Sequence, residues 1–348
     1  MNRRMTLQGR TIGRAAGFTL VELLVVVVII AILAGMAMAG LAAARNAARE
    51  RKTWATITKL NNVVLPLYDA YRNRRVPLSN AGIRALAMNA GAKTFWDPYN
   101  QLPLVVGPTD PIPLPVVAAI RLAALRDIMR MELPERPGDI TNGPYFAAWG
   151  MTDPSLHRGY AIRAGGRMGQ NGSAECLYMI VSMAAGEEAR EQFAEDEVGD
   201  TDGNGLFEFL DGWGRPIDFL RWAPGFNQSD VQQTLPSPPT QAAVTAAAQY
   251  DHDPFDPRRV DVNAFRLVPL IYSAGSDGQY HIYMSWSPDP SYPPPYNAAY
   301  RWSDTSYHYR IFTDPGPDDP PKGAAVMIGT PYASGAFDNI HNHRLEVR

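Results

Sequence analysis

Asp200-Thr201-Asp202-Gly203-Asn204-Gly205-Leu206-Phe207-Glu208-Phe209-Leu210-Asp211 carries oxygen groups at a spacing that suits a hard cation. Asp200, Asp202 and Asn204 stand at positions one, three and five. Gly205 at six permits a sharp turn, and Leu206 at seven offers its backbone carbonyl. Glu208 at nine coordinates directly or through water, and Asp211 takes position twelve. Hard oxygen ligands at alternating positions favour Ca²⁺ over zinc or copper. Aspartate at the last position reaches less far than the usual bidentate glutamate, which favours weaker binding or a different geometry. Because Asp, Asn and Gly also favour turns that hold no ion, a solvated acidic turn remains the alternative.

The second chemically informative residue is Glu22. It is the one charged side chain from Phe18 to Ala44, a stretch rich in Val, Ile, Leu and Ala. That stretch exceeds the roughly 20 apolar residues a helix needs to cross a bilayer. A carboxylate there is unfavourable by roughly 3 kcal/mol on insertion scales, so it marks a functional position that needs a partner of opposite charge. Arg3, Arg4, Arg10 and Arg14 precede the span with no acid among them. The basic leader is therefore expected to stay in the cytoplasm and the chain after Arg45 to face outward.

Gly17-Phe18-Thr19-Leu20-Val21-Glu22 and the apolar run through about Ala39 resemble the class III signal of type IV pilins and type II secretion pseudopilins. The resemblance implies that prepilin peptidase cuts between Gly17 and Phe18 and, as N-methyltransferase, methylates the new Phe18 amine. Residues 1–17 would then be a leader peptide. It further implies that Glu22 attracts the Phe18 amine of a neighbouring subunit during assembly. Two plainer readings stand beside it. Ala37-Met38-Ala39 looks like an ordinary secretory cleavage site, and the span would serve equally as a simple anchor.

The Asp200–Asp211 spacing resembles the calcium loop of EF-hands, although Gly212-Trp213-Gly214 follows at once and leaves no obvious flanking helix. Asp211-Gly212-Trp213-Gly214-Arg215-Pro216-Ile217 looks like the Asp-Pro-Trp-Gly-Asn-Pro segment of major pseudopilins. Tyr272-Ser273-Ala274-Gly275-Ser276-Asp277-Gly278 resembles their Tyr-Ser-x-Gly-x-Asp-Gly loop, which implies Ser273 and Asp277 as further candidate calcium ligands. Gln279-Tyr280-His281 follows where that family has more glycine and an acid.

These groups need elements to hold them. The N-terminal helix is expected to continue past the membrane. Trp54, Ile57, Leu60, Val64, Leu67, Tyr68 and Tyr71 recur at spacings of three and four, one apolar stripe to lie on the following domain. Pro66 is a candidate kink. The spacing predicts a second helix over Val116–Met131 and a third over Ala174–Glu191. Pro77–Pro115 reads as turn-rich, with Trp96–Asn100 as a turn, and Asp139–Gly172 as polar loop. Asn227–Tyr250 reads as an inserted loop, and Pro288–Pro295 and Asp314–Pro321 as proline-rich loops. Ala264–Ser273 and Tyr280–Trp286 alternate like strands joined by a turn at Gly278.

A net charge of −3, which falls further once the arginine-rich leader is removed, gives no case for nucleic-acid binding. Cys176 is the sole cysteine, so no intramolecular disulfide forms and a packed thiol is expected. His341-Asn342-His343 reads as a solvated tail, and Asp251-His252-Asp253 as equally weak. No Gly-x-Ser-x-Gly, phosphate loop or His-Glu-x-x-His occurs, so nothing favours an enzyme.

The expected fold is α+β and pilin-like: a leader over 1–17, a long helix over 18–75 that is transmembrane over 18–44, and an extracytoplasmic head over 76–348 with a small antiparallel sheet. The expected role is a structural filament subunit in the inner membrane. Its partners would be prepilin peptidase, other pilin or pseudopilin subunits, an inner-membrane assembly platform and membrane lipid. A membrane-tethered calcium-binding module that does not polymerise is the alternative.

Overall fold

Helix α1 runs unbroken from Leu20 to Ala70, 51 residues, and a single 3₁₀ turn over Tyr71–Asn73 ends it. The computed structural model describes residues 19–89, 109–236, 240–261, 263–282, 329–331 and 334–344. It divides into two units, Met1–Ala48 and Arg49–Arg348.

In the first unit α1 is long and apolar enough to cross a membrane, by length and composition. Its large apolar side chains from Leu20 to Leu41 are all exposed. No described residue covers them.

In the second unit the same helix becomes a core element. Ile57, Leu60 and Val64 are fully buried, Tyr68 and Tyr71 nearly so, and Trp54 and Leu67 pack at the margin, as the spacing predicts. Burying an aliphatic side chain contributes about 2 kcal/mol. Pro66 lies on the exposed side and the helix continues past it. Helix α2 spans Asn80–Asn89, inside the stretch read as turns. Helix α3 spans Leu114–Glu132, close to its predicted bounds, and buries Val116, Ile120, Ala124 and Ile128 in the same core.

Short helix α4 (Pro137–Thr141) and helix α5 (Ser155–Ala164) occupy the stretch read as loop. Tyr160 and Ala164 are its buried apolar residues, too sparse a pattern among arginines and glycines to announce a helix. The predicted third helix is broken. Helix α6 covers Gly172–Met179, a π turn follows over Ile180–Ala184, and α7 is confined to Glu187–Arg190. Gly186 separates them at a φ of +94°, a conformation that disfavours other residues. Helix α8 (Gln241–Tyr250) corrects the inserted-loop expectation. Thr240 accepts the Ala243 amide at its start, and Val244, Ala247 and Ala248 bury one face.

Strands β1 (Val198–Gly199) and β2 (Glu208–Phe209) pair antiparallel on either side of the acidic loop. A second antiparallel sheet has the order β3-β4-β5, from Asp218–Leu220, Leu270–Ser273 and Ile340–His341. Phe219 faces Ile271 in register, and Ser273 faces Ile340. The hairpin expected between 264–273 and 280–286 does not form in that way: β4 pairs with β3 and β5, and Ile282 bridges Pro331. Residues 283–286, Trp96–Asn100, Pro288–Pro295 and Asp314–Pro321 lie outside the described residues. The architecture is α+β, with a long apolar N-terminal helix, further helices and small antiparallel sheets.

Cys176 is a buried free thiol, and burial pushes its pKa well up. His341 and His343 correct the solvated-tail expectation, because both are fully buried beside Phe226. His343 donates from Nε2 to the Pro269 carbonyl at 3.1 Å, and its own amide donates to His341 Nδ1 at 3.3 Å. Burial first, then neighbouring positive charge, pushes His341 down to about 3; burial pushes His343 down to about 4. Both titrate near 6.5 when unfolded, so the unfolded chain takes up more protons below that pH. Stability is therefore expected to fall as pH drops from about 6.5 to 4, by on the order of 3 kcal/mol per histidine. Denaturant unfolding of His341→Gln should show a flatter acid limb than the parent; an unchanged limb would refute the assignment.

Candidate cation site and helix terminus

Gly17 and Phe18 lie outside the described residues, but the helix start beside them is defined. Thr19 precedes α1 and Glu22 sits in its first turn. Thr19 Oγ1 accepts the Glu22 amide at 3.2 Å and donates to Glu22 Oε2 at 2.8 Å. Glu22 Oε2 also accepts the Thr19 amide at 2.9 Å. This is a capping box, in which two amides that helix geometry leaves unpaired are satisfied reciprocally. The spacing Thr-x-x-Glu is its sequence signal. The carboxylate thus has a local partner that disperses its charge without neutralising it.

The acidic loop between β1 and β2 folds around Asp200. Asp200 Oδ1 accepts the amides of Gly203 and Asn204 at 2.8 and 3.1 Å, and Oδ2 accepts Gly205 at 2.9 Å. Gly203 and Gly205 adopt positive φ, +75° and +84°, as this tight winding requires. Asn204 Oδ1 accepts the Leu206 amide at 2.8 Å, and the Leu206 side chain is buried. Three carboxylates then converge: Glu175, Asp202 and Glu208 each bring an oxygen within 4.8 Å of the others. Asp202 and Glu208 were predicted from the spacing. Glu175, in the first turn of α6, was missed because it lies 25 residues before the loop begins. Asp200 is not one of the three.

Glu175 and Glu208 are fully buried, whereas Asp202 is exposed. Asn204 Nδ2 donates to Glu175 Oε1 and, at 3.1 Å, to Asp202 Oδ2. Glu208 Oε2 accepts the Thr201 amide at 3.0 Å, and Asn171 Nδ2 reaches Glu208 Oε1 at 3.3 Å and Thr201 Oγ1 at 2.7 Å. Arg167 Nη1 lies 3.4 Å from the Asn204 and Gly205 carbonyls. Burial, then the neighbouring negative charges, raises the pKa of Glu175; burial is the leading cause for Glu208 as well. Glu175 Oε2 is buried with no hydrogen-bond partner.

The structure does not bring Asp211 into this group. Asp211 Oδ1 accepts the Trp213 and Arg215 amides at 2.8 and 3.0 Å, and Oδ2 accepts Ser273 Oγ at 2.7 Å. Its turn docks on α1, where the Gly212 amide donates to Thr53 Oγ1 at 2.8 Å. A Cβ on Gly212 would run into the Arg49 backbone carbonyl, so glycine alone fits. The two pseudopilin-like segments therefore meet, through a hydroxyl–carboxylate hydrogen bond. Asp277 stands apart, accepting the Gln279 amide at 2.8 Å and lying 3.0 Å from His281 Nε2.

The model of the prokaryotic N-terminal methylation motif matches residues 12–38. No curated protein and no solved structure matches the chain. With the long apolar helix it opens, the motif supports membership of the type IV pilin and pseudopilin family. It supports a pilin-like substrate of prepilin peptidase that is anchored in a membrane and assembles with other pilin subunits.

Asp211 serves the turn and the sheet, so its loss should act without regard to calcium. Asp211→Ala leaves three donors short of an acceptor and is expected to destabilise the head by roughly 1–3 kcal/mol. Urea unfolding with and without Ca²⁺ should show the same loss in both. A loss seen with calcium alone would return Asp211 to the cation site.

Proposed function

We propose that the chain is a structural subunit of a type II secretion pseudopilus or a related type IV filament. The observation that carries this reading is Glu22, a lone carboxylate in an apolar helix, four residues after the amine that cleavage at Gly17 would expose. The arginine-rich leader favours a single pass through the inner membrane with the head outside the cytoplasm. Monomers held there by α1 would be cut and methylated at Phe18, then delivered by an inner-membrane assembly platform into a bundle of apolar helices. Glu22 would set the register by pairing with the Phe18 amine of the next copy. An ion pair of this kind recovers part of what each charge loses on leaving water.

The acidic loop is read as a Ca²⁺ site that stiffens the head. Asp202 and Glu208 already converge, Asn204 and the Leu206 carbonyl lie on the same loop, and Asp200 winds it. Ser273 and Asp277 have hydrogen-bond partners of their own and receive no ion in this reading.

The capping box favours the second reading, a tethered calcium-binding module, because Thr19 satisfies Glu22 within its own chain. Glu22→Gln separates the two. Glutamine preserves the capping geometry but carries no charge. For a filament subunit, membrane insertion and cleavage should persist while incorporation into filaments falls at least ten-fold. Undiminished incorporation would favour the tether. Mass and N-terminal sequence of the native protein should show a methylated Phe18, and any other start would remove the filament reading.

A further inference from the structure

The loop between β1 and β2 holds a feature its own sequence does not supply. Glu175 enters from α6, is fully buried, and leaves Oε2 with no partner beside two further carboxylates. Such a group is costly in an apolar setting unless something positive meets it. We propose that Glu175 is a ligand of the same cation as the loop, so that Ca²⁺ fastens the loop to α6. This rests on the calcium reading of the loop and assigns it a ligand from outside.

Distances permit it. Three oxygens at the full 4.8 Å separation stand about 2.8 Å from a common centre, so a shift of a few tenths of an ångström brings all of them to the 2.3–2.6 Å of a Ca²⁺–oxygen bond. Glu175 also replaces what the loop lacks. The twelfth position normally brings a glutamate carboxylate, and Asp211 at that position is held by the Trp213 and Arg215 amides and by Ser273. The site's remaining charge is supplied by Asp202 and Glu208. Asn204 Oδ1 is committed to the Leu206 amide, so Asn204 Nδ2, which lies between Glu175 and Asp202, has to move aside for the ion to enter. Arg167 offers the loop carbonyls a weaker positive partner, at 3.4 Å, and does not reach the three carboxylates.

The consequence extends beyond the loop. Next to Glu175, Ser173 Oγ donates to the Phe219 carbonyl at 2.7 Å and accepts its amide at 2.9 Å, which ties α6 to β3. An ion held by Glu175, Asp202 and Glu208 therefore connects the loop, α6 and the three-stranded sheet. Calcium would act on the rigidity of the head's interior as well as on a surface turn.

The test uses the full-length protein in detergent, titrated with Ca²⁺ by calorimetry and followed by hydrogen exchange. The parent should bind one ion and slow amide exchange in both 200–208 and 172–179. Glu175→Gln should weaken binding about ten-fold or more and restrict protection to the loop. In the absence of calcium, Glu175→Gln should be at least as stable as the parent, because a buried like charge has been removed. Parent-like affinity in Glu175→Gln would overturn the outside ligand and leave the loop reading standing. Marked destabilisation of Glu175→Gln without calcium would show a purely structural role and also overturn it. No calcium binding by the parent would remove the loop reading itself.

Discussion

The stripe of Ile57, Leu60, Val64, Tyr68 and Tyr71 on α1 is the surface against which the head is built. Its apolar part shares one core with Ile120 and Ile128 of α3, Leu177 of α6 and Phe219 and Ile271 of the sheet, and its polar atoms are spent on fixing direction. Tyr68 OH donates to the Leu267 carbonyl and accepts Trp222 Nε1 at 3.1 Å, while Tyr71 OH reaches Glu132 at 2.7 Å. Further up the helix, Thr56 Oγ1 and Lys59 Nζ hold Glu197 at 2.6 and 2.7 Å, just before β1. Thr53 receives the Gly212 amide just after β2. Both ends of the acidic loop are thereby anchored to the same helix. A change in this stripe acts on the core and on the loop together.

With Cys176 alone and buried, the head relies on packing and on charges placed inside it. Arg221 is fully buried, donates to the Leu133 carbonyl at 2.6 Å and lies 3.4 Å from both Glu135 and Asp139. Arg130 pairs with Asp127 at 2.9 Å, donates to the Asn142 and Gly143 carbonyls and stacks over Tyr145. Arg126 joins Asp253 and Asp261 across a long sequence separation. Buried ion pairs give little net stability over apolar replacements, but losing one partner is severe, about 3–5 kcal/mol. They are better viewed as fixing which loop lies where, in a head rich in irregular connections.

How much was legible in the sequence follows from the length scale of each signal. The long apolar helix α1, the stripe on it and helix α3 declare themselves through local composition and periodicity, and all three stand in the structure as helices or helix faces. Helix α8 hid in a polar, alanine-rich stretch, and α5 in one with two buried apolar residues, Tyr160 and Ala164. The strands β3 and β5 are three and two residues long, below what alternation can reveal. Their pairing with β4 is set by contacts distant in sequence, so the expected local hairpin lost to a non-local one. In the acidic loop the motif singled out Asp202 and Glu208, which the fold brings together with Glu175, and also Asp211, which it places apart from them. Asp211 is held instead by the Trp213 and Arg215 amides and the Ser273 hydroxyl. Glu175 has no motif at all; only the fold brings it there.

Glu22 in the first unit and Glu175 in the second pose the same physical problem. Each is a carboxylate where water is scarce in the functional state: Glu22 in an apolar helix, Glu175 in the head interior. Each has a neutral local donor, Thr19 in one case and Asn204 in the other. A hydrogen bond from a neutral group lowers the cost of burying charge but leaves the charge itself unmet. A cation arriving at either site therefore competes with a weak partner that can be displaced, rather than with a strong ion pair that would have to be broken. In the proposed readings one cation is the Phe18 amine of a sibling chain and the other is Ca²⁺. A lysine or arginine built beside either glutamate would make the isolated chain more comfortable and would remove the reason to bind. Among the described residues each of the two glutamates has only its neutral donor as a side-chain partner, Thr19 for Glu22 and Asn204 for Glu175.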